Sequence, residues 1–222
     1  MRQRCLKVER LGRIDYAAAL EIQKQTERAV LKGEQPDTLL LLEHPHTLTL
    51  GRRSAADGVL ASPEVLSAQA IQVFETNRGG KTTYHGVGQL VGYPIINLSP
   101  DRQDVHRYVR DLEEVLIRAM SDFGIEAFRI KGLTGAHTDK GKVAAIGVHI
   151  ARWVTTHGFA LNVNTDLGYF KLIVPCEGEA VTSMTELLGR ELPLAEVEDR
   201  IIDRFAEVFE MRLADSPVVA SA

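Results

Sequence analysis

Two hydrophobic periods interleave along this chain, one of three to four residues and one of two. The longest stripe of the first kind runs Val105, Tyr108, Val109, Leu112, Val115, Leu116, Ala119, Met120 and Phe123, and predicts a helix from Asp104 to Phe123. Leu194, Val197, Ile201, Phe205 and Val208 repeat the pattern and predict a last amphipathic helix. Asp15 can cap a helix running to about Lys32, which Gly33 is placed to end. Ser62-Pro63 combines a capping residue with a proline suited to a first helical position. Ser183-Met184-Thr185-Glu186 has the form of a capping box, opening a short helix that Gly189 stops.

The shorter period predicts strands between these helices. Thr38 to Glu43 is an apolar run of strand length, expected to be buried on both faces. Thr47-Leu48-Thr49-Leu50 alternates as a half-buried strand does. Further strands are expected at Ile71–Glu75, Gln89–Leu98, Ala127–Ile130, Lys142–Ile150 and Gly158–Val163. There is no repeat, low-complexity tract or linker, so residues 1–222 read as one mixed α/β (α+β) domain. The small and polar residues at 213–222 read as a frayed tail.

Composition narrows the class. With 222 residues, 45% of them apolar and 25% charged, the chain is neither disordered nor a disulfide framework. At that length folding buries roughly 70% of the unfolded surface, so a substantial core is expected. No apolar run approaches the roughly 18–20 residues of a membrane span, and the basic N-terminus lacks the apolar stretch of a signal peptide. Cys5 and Cys176 are the only cysteines, which makes a reduced, cytoplasmic setting the default. The net charge of −4 argues against a nucleic-acid binder. From Cys176 onward there are 4 basic and 11 acidic residues, the signature of a solvated helix face. The remainder is mildly basic and compatible with an acidic partner.

Three segments carry candidate chemistry. Arg78-Gly79-Gly80-Lys81-Thr82-Thr83-Tyr84-His85-Gly86-Val87-Gly88-Gln89 interleaves four glycines with donors. Glycine allows close backbone approach to a ligand, although a plain hairpin with solvated polar residues is the simpler alternative. Lys142 opens the apolar run Val143-Ala144-Ala145-Ile146-Gly147, and His157-Gly158-Phe159-Ala160-Leu161-Asn162 places small residues where a ligand chain can lie against the backbone. Cys176 follows Pro175. A lone cysteine is usually a small buried apolar residue, but a nearby Lys can turn its thiol into a nucleophile. Spacing alone does not bring Lys142 to Cys176, and Lys142 can equally be an ordinary edge lysine. His44-Pro45-His46 lacks a third ligand and reads as a loop rather than a metal site.

Taken together, these segments, with Val181-Thr182-Ser183 after Cys176, resemble the lipoyl(octanoyl) transferase family from about Asp15 to Phe209. The resemblance implies the fold of lipoate ligases and the biotin protein ligase catalytic domain, a central mixed sheet flanked by helices. It implies transfer of an octanoyl group from octanoyl-acyl carrier protein to a lysine of a lipoyl domain, with no cofactor. The acceptors implied are the lipoyl domains of 2-oxoacid dehydrogenase complexes and the glycine cleavage H protein. By motif register, Cys176 is then the acyl-accepting nucleophile and Lys142 its activator, with Lys140 a neighbour out of register. Arg78, Gly79, Gly80, Lys81, Thr82, Thr83, Tyr84, His85, Ala145, Ile146, Gly147, Gly158, Phe159 and Ala160 are then the acyl-binding residues.

Family members usually have Pro where Val87 stands, Gly where Glu177 follows the cysteine, and Trp at about the place of His137. An inward Glu177 carboxylate would raise the thiol pKa. Two other functions fit the same segments: an ATP-dependent lipoate or biotin ligase, which has no need of Cys176, and a non-catalytic module that binds acyl carriers or lipoyl domains.

Overall fold

The computed structural model describes residues 4–55, 58–174 and 180–214. The chain opens with β1 (Arg4–Arg13), α1 (Tyr16–Lys32), β2 (Asp37–Glu43) and β3 (Thr47–Leu50). Next come α2 (Pro63–Ala68), β4 (Gln72–Glu75), β5 (Thr82–His85), β6 (Gln89–Ile95) and α3 (Val105–Ser121). Then follow β7 (Ala136–Thr138), β8 (Gly141–Ala151), β9 (Val154–Asn162) and a 3-10 turn over Leu167–Leu172. The remaining elements are α4 (Met184–Leu188), α5 (Leu194–Phe209) and β10 (Met211–Leu213).

Seven strands form one mixed sheet in the order β10-β1-β2-β6-β9-β8-β7, and β4-β3-β5 form a smaller one. Strand β1 runs parallel to both neighbours, while β2, β6, β9, β8 and β7 pair antiparallel in turn. Helices α3 and α5 cover one face of the large sheet and α1 the other. Strand β2 explains why both faces need cover. Its Leu39 and Leu41 enter the α3/α5 core, while Leu40 and Leu42 enter the α1 core. All four side chains are at most 1% exposed, and each contributes roughly 1.5–3 kcal/mol by burial.

The helix boundaries follow the local chemistry. Ser62, Asp104 and Ser183 each accept a backbone N–H three residues on, from Val65, Arg107 and Glu186. Gly33 and Gly189 close their helices at φ 71° and 70°, the left-handed region glycine enters without strain. Asp15 stands at the start of α1 but makes no side-chain capping bond.

Several expectations are corrected. Thr47 and Thr49 of β3 are as buried as Leu48, because the Arg78 guanidinium lies on Thr49 and Thr47 turns its hydroxyl onto the Pro45 carbonyl. Residues 127–130 form no strand. Phe128 makes only an isolated bridge to His137. Strand β9 starts at Val154, four residues ahead of its expected start at Gly158. Strands β1, β5, β7 and β10 were not expected. Residues 213 and 214 are not frayed: Leu213 pairs with Leu6 in β1, and the Ala214 N–H donates to the Leu6 carbonyl. The rest of the expected tail, 215–222, lies outside the described residues.

Leu41→Ala should lower the unfolding free energy by about 2–5 kcal/mol, because it leaves a cavity between β2 and the α3/α5 layer. Leu60→Ala, at a side chain 61% exposed, should cost under about 1 kcal/mol. Urea unfolding of both variants checks the difference, and equal midpoints would contradict the assignment of the core.

Candidate active site

Strands β5, β8 and β9, with the loop Gly132-Leu133-Thr134, enclose a cavity of about 220 Å³. A second cavity of about 710 Å³ lies beside it, bounded by Leu60, Phe170, Ile173, Ala180 and Val181. Thr82, Thr83, Lys142, Ala145 and Ala160 line both. The larger volume is within the roughly 300–1,000 Å³ usual for ligand sites. Lys142 therefore stands where the two spaces meet.

The Lys142 backbone is fixed on the side away from β7. Its N–H donates to the Ala180 carbonyl at 2.9 Å, and its carbonyl accepts from the Thr182 N–H at 3.0 Å, a parallel bridge to Val181. Its side chain passes Gly135 so closely that a Cβ there would sit 2.8 Å from Lys142 Cε. Gly135 is held at φ +127°, with its N–H on the buried Glu113 carboxylate, which also pairs with Arg129. Lys140, the neighbour out of register, directs its ammonium to the Glu186 carbonyl at an exposed position and borders neither cavity. His137 is buried and registered opposite Lys142. Cys176 and Glu177 lie outside the described residues, between Val174 and Ala180.

The glycine-rich segment is neither a free loop nor a simple hairpin. The Gly79 N–H donates to the Val148 carbonyl of β8 at 2.9 Å, and the Arg53 N–H donates to the Gly80 carbonyl at 3.0 Å. Gly51 has no room for a side chain, since a Cβ would lie 2.5 Å from the Gly80 oxygen. Arg78 is buried and its guanidinium donates to the Thr49 carbonyl, the Thr49 hydroxyl and the Gly79 carbonyl. Gly80, Lys81, Thr82, Thr83 and His85 border the smaller cavity together with Arg78. Tyr84 borders neither cavity. Its hydroxyl meets His46 Nδ1 at 2.7 Å and its ring stacks on Tyr169.

Ala145, Ile146, Gly147, Gly158, Phe159 and Ala160 complete the wall. The small residue at Gly158 serves the sheet before any ligand: a Cβ there would lie 2.2 Å from the Gly92 oxygen. Its neighbour His157 takes φ 55°, a strained angle for a residue with a side chain. The Gln23 side chain of α1 accepts the His157 N–H at 2.8 Å and holds it there. His157 Nε2 meets Asn77 Oδ1 at 2.8 Å, so the ring ties β9 to the residue before Arg78.

Three histidines around this site are neutral. Desolvation lowers His44 to about 4 and His157 to about 3, with the Arg78 charge adding to the effect at His157. His85 is pushed well below its ordinary range by burial first, then by His44 and Arg78. His44 uses both ring nitrogens, on the Ile14 carbonyl and the Tyr93 hydroxyl, which accounts for half of His44-Pro45-His46. Burial raises the Tyr16 hydroxyl to about 12. Among the described residues no cluster of three or more His, Cys, Asp or Glu is arranged to hold a metal ion. Nor is any described helix long and apolar enough to cross a membrane.

Motif reading passed over Tyr16, Gln23, Thr49 and Tyr93, and gave no role to Gln89 or Asn162. The last two had a signal: these polar amides flank the apolar runs Leu90-Val91 and Phe159-Ala160-Leu161, where a buried amide must find partners.

The neutral histidines set a pH dependence. A folded pKa below the unfolded value of about 6.5 means that the unfolded chain binds the proton more tightly. The stability from His44 is therefore complete above about pH 6.5 and is lost as pH falls toward about 4. The loss is on the order of 3 kcal/mol. His44→Gln should show a shallower fall in denaturation midpoint between pH 7 and 4.5 than the parent. Parallel profiles would contradict this.

Comparison with known proteins agrees with this geometry. Residues 15–206 match the lipoyl protein ligase A/B catalytic domain. An octanoyltransferase of Solibacter usitatus (strain Ellin6076) is 51% identical over 223 residues, covering 100% of each chain. The structure of a bi-partite lipoate protein ligase and its E2 lipoyl domain from Thermoplasma acidophilum matches with a TM-score of 0.75 at 16% identity. That match covers 98% of this chain and 88% of the other. Biotin protein ligase from Aquifex aeolicus, in complex with biotin and ATP, matches with a TM-score of 0.58 at 14% identity, over 92% and 70% of the two chains. At such identities the two structures speak to the fold, which is the mixed sheet with flanking helices described above. The full-length match at half identity speaks to kinship: the chain belongs to the lipoyl protein ligase A/B catalytic-domain family, among its octanoyltransferases.

Proposed function

We propose that this protein transfers an octanoyl group from octanoyl-acyl carrier protein to a lipoyl-domain lysine, through a thioester on Cys176 that Lys142 activates. The observation that supports this reading is the position of Lys142. It borders two adjoining cavities, and its backbone pairs with Ala180–Thr182, the stretch that follows Cys176 in the chain. The Lys142 amine takes the thiol proton, and the thiolate adds to the octanoyl thioester carbonyl. Collapse expels the phosphopantetheine thiolate of the carrier, which recovers the proton from the Lys142 ammonium. The target lysine amine then attacks the octanoyl-Cys176 thioester, forming an amide and returning the thiol. One thioester replaces another in the first step, so no nucleotide is needed. The glycine-rich segment with Ala145–Gly147 and Gly158–Ala160 forms the acyl side of the site, and residues 1–222 act as one catalytic domain. A cytoplasmic setting, where thiols stay reduced, suits this chemistry.

Mixing the protein with octanoyl-carrier protein should add one octanoyl mass, mapping after digestion to the peptide that holds Cys176. Adduct on Cys5, or on no cysteine, sinks the reading. Lys142→Ala should slow transfer about 100- to 10,000-fold and slow thiol alkylation at neutral pH. Lys142→Arg should restore alkylation more than transfer, since arginine keeps the charge but does not release its proton. A crippled Lys140→Ala beside a normal Lys142→Ala would reassign the base. Full activity of Cys176→Ser in the presence of ATP would favour a ligase instead.

The donor is an acidic carrier, and Arg52, Arg53 and Lys81 are available at the rim, whereas Arg78 is buried beneath it. Exposed charges are screened beyond roughly 8–10 Å at physiological ionic strength. The Michaelis constant for octanoyl-carrier protein should therefore rise with salt, while that for octanoyl-pantetheine stays level. A flat response for both contradicts steering by this rim.

A further inference from the structure

A chain of buried amides connects His85 to the backbone beside Lys142, and its two ends fix every donor and acceptor within it. Gln89 Nε2 lies 3.1 Å from the Tyr84 carbonyl, and Asn162 Nδ2 lies 3.0 Å from the Thr182 carbonyl. A backbone carbonyl only accepts, so both amide nitrogens are assigned without ambiguity. Asn162 Oδ1 must then be the atom that accepts from Gln89 Nε2, at 3.0 Å. Gln89 Oε1 is left to accept from His85 Nδ1 at 2.8 Å, which makes His85 an Nδ1–H tautomer. Its Nε2 faces the Thr49 hydroxyl, whose oxygen already accepts from Arg78. His85, Gln89, Asn162 and Thr182 are all at most 6% exposed, so the chain is shielded from bulk water.

The far end of this chain bears on Lys142. Thr182 has its carbonyl on Asn162 and its N–H on the Lys142 carbonyl, while Ala180 accepts the Lys142 N–H. Asn162 is thus a side-chain clamp on the stretch Ala180–Thr182 that bridges to Lys142. We infer that Asn162 is a positioning residue for the acyl transfer: by donating to the Thr182 carbonyl, with its amide oriented by Gln89, it sets the stretch after Cys176 in register with Lys142. This rests on the reaction proposed above. His85 acts at the other end as a fixed donor that orients Gln89, not as a base.

Asn162→Asp is the discriminating change. It has nearly the same shape and still accepts from Gln89, but as a carboxylate it presents an acceptor to the Thr182 carbonyl. When protonated, its O–H can donate there again. Asn162→Leu loses the contact at every pH. Single-turnover acylation by octanoyl-carrier protein should fall roughly 100-fold in Asn162→Asp at pH 8, the scale of a small misplacement of reacting groups. As a ratio to the parent at each pH, that deficit should shrink toward pH 5.5, whereas the Asn162→Leu deficit should not. Circular dichroism and melting temperature, taken at the same pH values, report any loss of fold separately. Parental acylation rates in folded Asn162→Asp, or a deficit that keeps the same size from pH 8 to 5.5, would overturn the inference. Absence of any octanoyl adduct on the parent protein would instead remove the reaction on which it rests.

Discussion

The parallel bridge between Lys142 and Val181 is the constraint on which the rest of the site depends. It joins the start of the eleven-residue β8 to the chain that leaves the Cys176 segment, through two backbone hydrogen bonds of 2.9 and 3.0 Å. Strand β8 is in turn paired with β9 along eight residue pairs. Lys142 is thereby attached to the large sheet and not to a loop. Gly135, anchored to Glu113 of α3, lies against the Lys142 side chain, and Asn162 holds the other partner of the bridge. The proton transfer proposed for Lys142 gains from such rigidity, because catalysis by proximity falls steeply with misplacement.

Around this point the protein surrounds one buried charge with neutral polar groups. Arg78 is the buried cation, and it is directed at the backbone and hydroxyl of Thr49. It lowers the affinity of His85 and His157 for protons, on top of their burial. The His85 and His157 imidazoles are thus rigid hydrogen-bonding parts of the wall, on Gln89 and Asn77, with His44 behind them on Tyr93. Such a wall suits an uncharged acyl chain. In the proposed reaction proton transfer falls to Lys142.

Much of this was legible in the sequence, and the failures have physical causes. Helices α1, α3 and α5 announced themselves through apolar stripes and caps, and β2 through its run of leucines, because burial on one or two faces leaves a periodic trace. The early start of β9 left none. Its hairpin with β8 turns on Arg152 and Trp153, both at positive φ, with no glycine or asparagine to mark the turn. Strand β5 was hidden among glycines that read as loop, and β10 is a three-residue edge whose partner, β1, lies at the opposite end of the chain. Within the site, motif register separated Lys142 from Lys140, and the two side chains do face different surroundings. Gly158 was expected to make room for a ligand, yet the close approach of Gly92 already requires it. Gln89 and Asn162 stood inside the quoted motifs without a role, since the worth of a buried amide depends on partners that only the folded chain supplies.

The central claim is that octanoyl on the cysteine is an intermediate on the way to the lipoyl-domain lysine. The direct measurement is a chase: octanoylated protein freed of its donor is mixed with an unmodified lipoyl domain, and both masses are followed over time. The account predicts that the octanoyl mass leaves this protein and appears on the lipoyl-domain lysine at the same rate, as fast as steady-state turnover or faster. An adduct that persists, or that is lost to water while the lipoyl domain stays unmodified, would contradict it.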